Sequence, residues 1–263
     1  MFKHYLYMKT EQEYVKNVGK WGNSGGILLP KEWIGNQVKI VLINRTDEIK
    51  KEVINMLSEY LGDILGVYLT GSYSRGDQDK ESDIDIIAIT NHIKKEIISG
   101  KYHISLVTLE NLKKTLEKNP ILVAPRLREA NVIINPLLLK ELNKIEIKKI
   151  SFKSYIEETN RIISINQELI NLEKDEYLTS PEIIYSLILR LRGIYLINGI
   201  LNNKKYSKRD FLKYLGNSKI DKNQIENIYN IYRNLRDDIK TKNKIKVDNV
   251  KLLLSFLEKE NKI

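Results

Sequence analysis

From Leu65 to about Ile145, short β-branched runs alternate with stretches of helical spacing. LGVYLT, IDIIAIT, KYHISLVTL and NVIIN read as strands, and residues 91–99 and 109–118 read as helices. That alternation predicts an α/β (α+β) layer, a mixed sheet with helices on one face. Upstream, within residues 13–43, the runs EYVKNVGKW, GGILL and QVKIVLI are broken by GNSGG and PKEWIGN, where Gly, Asn and Pro supply turns. This predicts a β unit too small to hold a core alone, which a second copy would complete as a homodimer. Thr46 is placed to cap a helix, with Asp47 and Glu48 in its first turn and Ile49, Val53, Leu57, Tyr60 and Leu61 at helical spacing. Beyond residue 150 the pattern is helical throughout. Ser180 and Pro181 open one helix, Ser207 and Asp210 form a capping box closed by Gly216, Ile225 to Ile239 continue the period, and a last helix follows Asp248. A four- or five-helix bundle results. The expected domains are therefore a β module at 1–45, the α/β layer at 46–145 and the bundle at 146–263.

Composition narrows the function classes. The 263 residues include no cysteine, so neither a disulfide scaffold nor a thiolate metal site is available. With 42% hydrophobic and 30% charged residues the chain can bury a core. No window offers ~18 uninterrupted apolar residues, and the start lacks a signal-peptide pattern, so a soluble, cytoplasmic protein without a membrane partner is expected. The net charge of +10 is unevenly placed: residues 1–45 hold 7 bases and 3 acids, 46–145 hold 14 and 15, and 146–263 hold 23 and 16. An acidic middle between basic ends suits metal-binding carboxylates flanked by surfaces that meet phosphates, although a solvated lysine-rich surface gives the same numbers.

The stretch LTGSYSRGDQDKESDIDIIAI carries the chemistry. A strand ends at Thr70, Gly71 and Ser72 turn the chain, ten residues intervene, and Asp83 and Asp85 open the next strand. Strand alternation puts both carboxylates on one face, with Ile84 and Ile86 turned to the core. Two carboxylates beside a Gly-Ser turn suit Mg²⁺, one ion or two, that shares its ligands with an NTP. The glycine lets backbone approach phosphate, the serine hydroxyl can donate to it, and Arg75 can add a charge-assisted contact. A solvated acidic loop of Asp79, Glu81, Asp83 and Asp85 is the plainer alternative. Against it, Asp85 sits within the apolar run IDIIAI, where a lone carboxylate is costly.

This pattern resembles the DNA polymerase β nucleotidyltransferase superfamily, in particular its small prokaryotic and kanamycin nucleotidyltransferase-like members. Gly71, Ser72, Asp83 and Asp85 match its Gly-Ser and Asp-x-Asp elements, and Arg75-Gly76 and Ser82-Asp83 match the small members. The resemblance implies a third carboxylate on the following strand, where this chain has Ser105. Glu110 or the substrate would then supply that function, and His103 is a candidate base. Residues 16–43 resemble an AbrB/MazE-type swapped hairpin of the short archaeal kind. That resemblance implies a dimer whose Lys16, Lys20, Lys31, Lys39 and Arg45 meet the phosphates of duplex DNA. The tail resembles the accessory bundle of kanamycin nucleotidyltransferase-like proteins. Within it Arg190 and Arg192 stand in an apolar helix and need partners, one of them, with Arg190 the candidate, reaching the triphosphate. Tyr206, Ser207, Lys208 and Arg209 open a basic helix start that could hold an anion.

Together these readings imply transfer of a nucleoside monophosphate from an NTP, with ATP the first candidate, onto a hydroxyl of a protein, as in toxin–antitoxin relatives, or of a small molecule. The rival class is a DNA-binding regulator or antitoxin whose transferase domain is weak or senses nucleotide.

Overall fold

The computed structural model describes residues 16, 18–40, 45–78, 82–240 and 244–262. It divides into two compact units, Met1–Val53 and Ile54–Ile263.

In the first unit, β1 (Gly19–Trp21) and β2 (Ser24–Gly26) form an antiparallel hairpin. Its turn passes through Gly22 at φ 56°. PKEW forms a single 3₁₀ turn at Lys31–Trp33. Residues 36–40 of the expected third strand are irregular, while 41–43 lie outside the described residues, as does the start of the first run. No described residue of 16–40 is buried, and Val18, Trp21, Leu28, Ile34 and Ile40 are all exposed. Lys16, Lys20, Lys31 and Lys39 are exposed too. Helix α1 (Arg45–Met56) begins one residue before the expected cap and buries Ile49 and Val53 from its apolar stripe.

The second unit holds β3 (Ile64–Thr70), α2 (Gly71–Arg75), β4 (Ile84–Thr90), β5 (Lys95–Ser99), β6 (Tyr102–Thr108), α3 (Leu109–Lys118), α4 (Ala124–Glu129), β7 (Asn131–Ile134) and α5 (Pro136–Leu142). The sheet order is β5-β6-β4-β3-β7, with β4 and β6 parallel and the other pairs antiparallel. One correction concerns residues 91–99, expected as a helix: their second half is the outer strand β5. Lys and Glu favour helices in isolation, but here Gly100, at φ 55°, folds the segment back onto β6 with Ser99 opposite Tyr102. An outer strand also tolerates charged side chains, which guard an unpaired edge.

Tyr68, Ile87 and Ile89 turn one sheet face toward Leu112 and Leu116 of α3, Leu127 of α4 and Leu139 and Leu142 of α5. Five further helices follow: α6 (Lys153–Leu172), α7 (Glu182–Leu201), α8 (Lys208–Gly216), α9 (Lys222–Arg236) and α10 (Val247–Glu260). Ser207 caps α8 by accepting from the Asp210 amide at 3.3 Å, as the sequence suggests. Helix α7 is apolar nearly all round because it runs through the bundle core, burying Ile183, Ile184, Leu187, Ile188, Leu191 and Ile194. Among the described residues it is the one helix long and apolar enough to cross a membrane.

Candidate active site

Strand β3 ends with Thr70 opposite Asp85 of β4, and the chain then reverses through Gly71 at φ 71°. A Cβ built on Gly71 would lie 2.2 Å from Asp85 Oδ2, so the carboxylate occupies the space that only glycine leaves open. The Gly71 amide is already committed: it donates to Glu129 Oε1 at 3.1 Å. Arg75, one turn later, donates from Nη1 to the same oxygen at 2.8 Å and from Nε to both Asp77 oxygens at 3.2 Å. Ser74 donates its hydroxyl to the Glu129 carbonyl. Gly76 closes α2 in the left-handed region. The Gly-Ser turn is thus laced to α4 from inside.

This arrangement redistributes the expected roles. Gly71 holds the turn and admits Asp85, and its amide does not point free toward a ligand. Arg75 pairs with Glu129, which is 6% exposed, and its guanidinium lies 5.2 Å from the centre of the Tyr206 ring. Burial raises the Glu129 pKa, and Arg75 offsets part of that rise. The Ser72 hydroxyl makes no hydrogen bond within the described residues and stays available. Asp83, exposed, precedes β4; Asp85, half-buried, lies within it. Asp79 and Glu81 lie outside the described residues.

Burial also raises the Asp85 pKa, with Arg126 and His103 opposing the shift and Asp83 reinforcing it. Arg126 lies beside the strand end, its Nη2 3.4 Å from Thr70 Oγ1. No hydrogen bond from a described residue reaches the Asp85 carboxylate, which burial holds partly out of water. Such an oxygen pair fits a hard divalent cation. Among the described residues no three His, Asp or Glu side chains form a ready-made cage.

The β4–β6 register puts His103, and not Ser105, beside Asp85; Ser105 stands opposite Ile87. Ser105 Oγ donates to Glu96 Oε2 at 2.9 Å, and the same oxygen lies 3.1 Å from His103 Nε2. A carboxylate therefore does stand near the position expected to lack one, delivered by β5 because β5 and β6 pair Glu96 with Ser105. Glu110 is exposed on α3 and pairs with Lys114.

Arg190 and Arg192 part company. Arg190 forms two hydrogen bonds to Glu158, at 3.2 and 2.9 Å, and lies over Tyr155. Arg192 lies 5.2 Å from the Tyr206 ring centre, the same ring that Arg75 covers, so it is the arginine on the side of the turn. Glu129, Arg126 and Glu96 were not legible as site residues. The one available signal was the charged run RLRE inside the apolar stretch from Ile121 to Ile134.

Residues 50–172 match the model of the nucleotidyltransferase domain, and residues 7–45 match a model provisionally described as a transposon-encoded protein (DUF2080). Over 139 residues the chain is 31% identical to a protein of Methanocaldococcus jannaschii provisionally named a protein adenylyltransferase, a match spanning 48% of this chain and 94% of that one. Two solved structures are distantly similar. The spectinomycin adenyltransferase AAD(9) from Enterococcus faecialis, with ATP and spectinomycin, is 17% identical at a TM-score of 0.44, over 82% of this chain and 99% of that one. A nucleotidyltransferase-like protein from Exiguobacterium sibiricum is 14% identical at a TM-score of 0.36, over 81% and 74%.

Proposed function

The chain belongs to the nucleotidyltransferase family, and from that membership we propose that it transfers AMP from ATP to the hydroxyl of a protein side chain in a reaction that needs a divalent cation, Mg²⁺ first among candidates. The observation that carries the reading is the meeting of Gly71 and Asp85. A half-buried carboxylate that accepts no hydrogen bond among the described residues is held under a Gly-Ser turn, with the exposed Asp83 two residues earlier, just ahead of β4. Asp83 and Asp85 would hold the cation. Bound there, it would supply positive charge against the negative charge that develops in the transfer. Ser72 offers its free hydroxyl to a phosphate oxygen, and Arg126 adds positive charge beside the strand end. The acceptor oxygen bonds to the α-phosphorus, the bond to the bridging oxygen breaks, pyrophosphate leaves with that electron pair, and the hydroxyl proton passes to solvent. The protein acceptor is favoured by the name of the M. jannaschii relative.

The test is Asp83→Asn with Asp85→Asn. The double variant should lose Mg²⁺-dependent ATP binding by calorimetry and all transfer of label from α-labelled ATP. It should melt no lower than the wild type without Mg²⁺, since a desolvated charge has been removed. Mg²⁺ should raise the Tm of the wild type alone. Unchanged Mg·ATP binding by a folded double variant overturns the reading.

The hairpin unit supports a second role. Its exposed Trp21, Leu28, Ile34 and Ile40 call for a partner surface, and Lys16, Lys20, Lys31 and Lys39 face solvent. We read it as a swapped-hairpin dimer module that meets DNA phosphates, a reading supported by the match of residues 7–45 to a transposon-encoded family.

A further inference from the structure

Beyond the turn lies a cavity of about 800 Å³ between the Asp77 loop, α8 and α9. Its size is that of a ligand site. Lys208, Arg209, Lys213 and Lys222 stand around it, against the acids Asp77 and Glu226. Asp77 is already neutralised by Arg75. Lys213 shares Asp210 at 3.5 Å, whereas Lys208, Arg209 and Lys222 form no ion pair among the described residues, with Lys208 Nζ 5.5 Å from the centre of the Tyr229 ring. The floor is aliphatic, from Leu212, Ile220 and Ile225, and no lining residue is aromatic.

The cavity is joined to the candidate active site through a short chain of contacts. Asp77 binds Arg75, Arg75 binds Glu129, Glu129 holds the Gly71 amide, and Gly71 covers Asp85. The Asp77 wall of the cavity is thus linked by four successive contacts to Asp85, on the side of the α2 turn.

Resting on the adenylyltransferase reading, we propose that this cavity is the acceptor site and that its occupant is an acidic peptide segment, whose Tyr, Ser or Thr hydroxyl is modified while neighbouring Asp or Glu side chains meet Lys208, Arg209 and Lys222. The unpaired cations select an anion. The aliphatic floor receives side chains of a peptide and offers no ring for base stacking, which separates a peptide from single-stranded RNA. The balance of the step is unchanged: the peptide oxygen bonds to the α-phosphorus of ATP, pyrophosphate departs, and the proton goes to solvent.

The experiment uses the full chain with Mg²⁺, α-labelled ATP and short synthetic peptides holding one Tyr, Ser or Thr flanked by Glu, by Gln or by Lys, with a single-stranded RNA as a further arm. The Glu-flanked peptide should be labelled about tenfold faster than the Gln-flanked one, the effect of two or three solvent-facing ion pairs, and the Lys-flanked one slowest. Lys208→Glu with Arg209→Glu and Lys222→Glu should invert that order, a ratio that general loss of activity does not imitate. On the wild type, added NaCl should shrink the preference through KM and leave kcat in place. Equal labelling of the three peptides, labelling of RNA in their stead, or a salt-indifferent preference overturns the acceptor assignment. If the wild type binds Mg·ATP but fails to discriminate, only this inference falls; if it binds no Mg·ATP and releases no pyrophosphate, the parent reading falls and this one with it.

Discussion

Gly71 answers two demands with one missing methyl group. Its φ of 71° lies where a side chain is strained, and the vacant Cβ position is within 2.2 Å of a carboxylate oxygen. Gly71→Ala should cost about 3 kcal/mol from strain and overpacking together, and should abolish nucleotide binding because Asp85 is displaced; chemical denaturation and calorimetry measure both. Tyr68 supplies a pH handle elsewhere on the same strand. Its hydroxyl donates to the Asn135 carbonyl at 2.9 Å, and burial pushes its pKa from 10.0 up to about 12. Because the folded state keeps the proton longer than the unfolded chain, stability falls as pH rises from 10.0 and the full loss is reached above about 12. Tyr68→Phe should be about 1 kcal/mol less stable at pH 7 and then gain on the wild type through that window, as urea melts at each pH would record. At this scale the Gly-Ser and Asp-x-Asp residues were legible because each is demanded by local backbone or strand-face geometry. Glu129 was not, since its importance depends on an amide and a guanidinium more than fifty residues away.

Helix α7 shows what an element decides. Arg190 and Arg192 are equivalent as letters in an apolar run, yet two residues on a helix are about 200° apart, so they must face different neighbours. One reaches Glu158 on α6, the other Tyr206 ahead of α8. Arg190→Gln should lower stability by about 1 kcal/mol or less, since Glu158 is half-exposed, and should leave ATP affinity unchanged. Arg192→Gln should cost more, about 2 kcal/mol, and should loosen Tyr206, the ring that also covers Arg75. Thermal melts of the two variants, with ATP titrations, rank them. The strand β5 makes the complementary point: local propensity favoured a helix at 91–99, and pairing with β6 overrode it.

For the whole molecule, the chain divides at Val53 into a hairpin unit with no buried residue among those described between 16 and 40 and a unit with an extensive core. The dimer reading predicts a mass by sedimentation equilibrium of twice that of the chain, reduced to that of one chain by Trp21→Asp with Ile34→Asp. The DNA reading predicts a log affinity that falls with log salt at a slope of about −4 to −5, for roughly four to six neutralised phosphates across a dimer. A duplex affinity indifferent to salt, or a monomeric wild type, would remove these roles from the unit.

The strands β3, β4, β6 and β7, the helix at 109–118 and the later helices could be read from the amino-acid sequence alone. Each of these rests on periodicity or on a backbone requirement that acts over a few residues. Only the tertiary structure decided that Gly71's amide is spent on Glu129, that Arg75 is an internal counter-ion, that Arg190 pairs with Glu158 and that Glu96 stands beside His103 and Ser105. The reason is that charge pairing depends on which strands and helices become neighbours. A guanidinium takes a carboxylate when the fold places one within about 3 Å and shields both from water, and nothing in the local pattern announces that meeting.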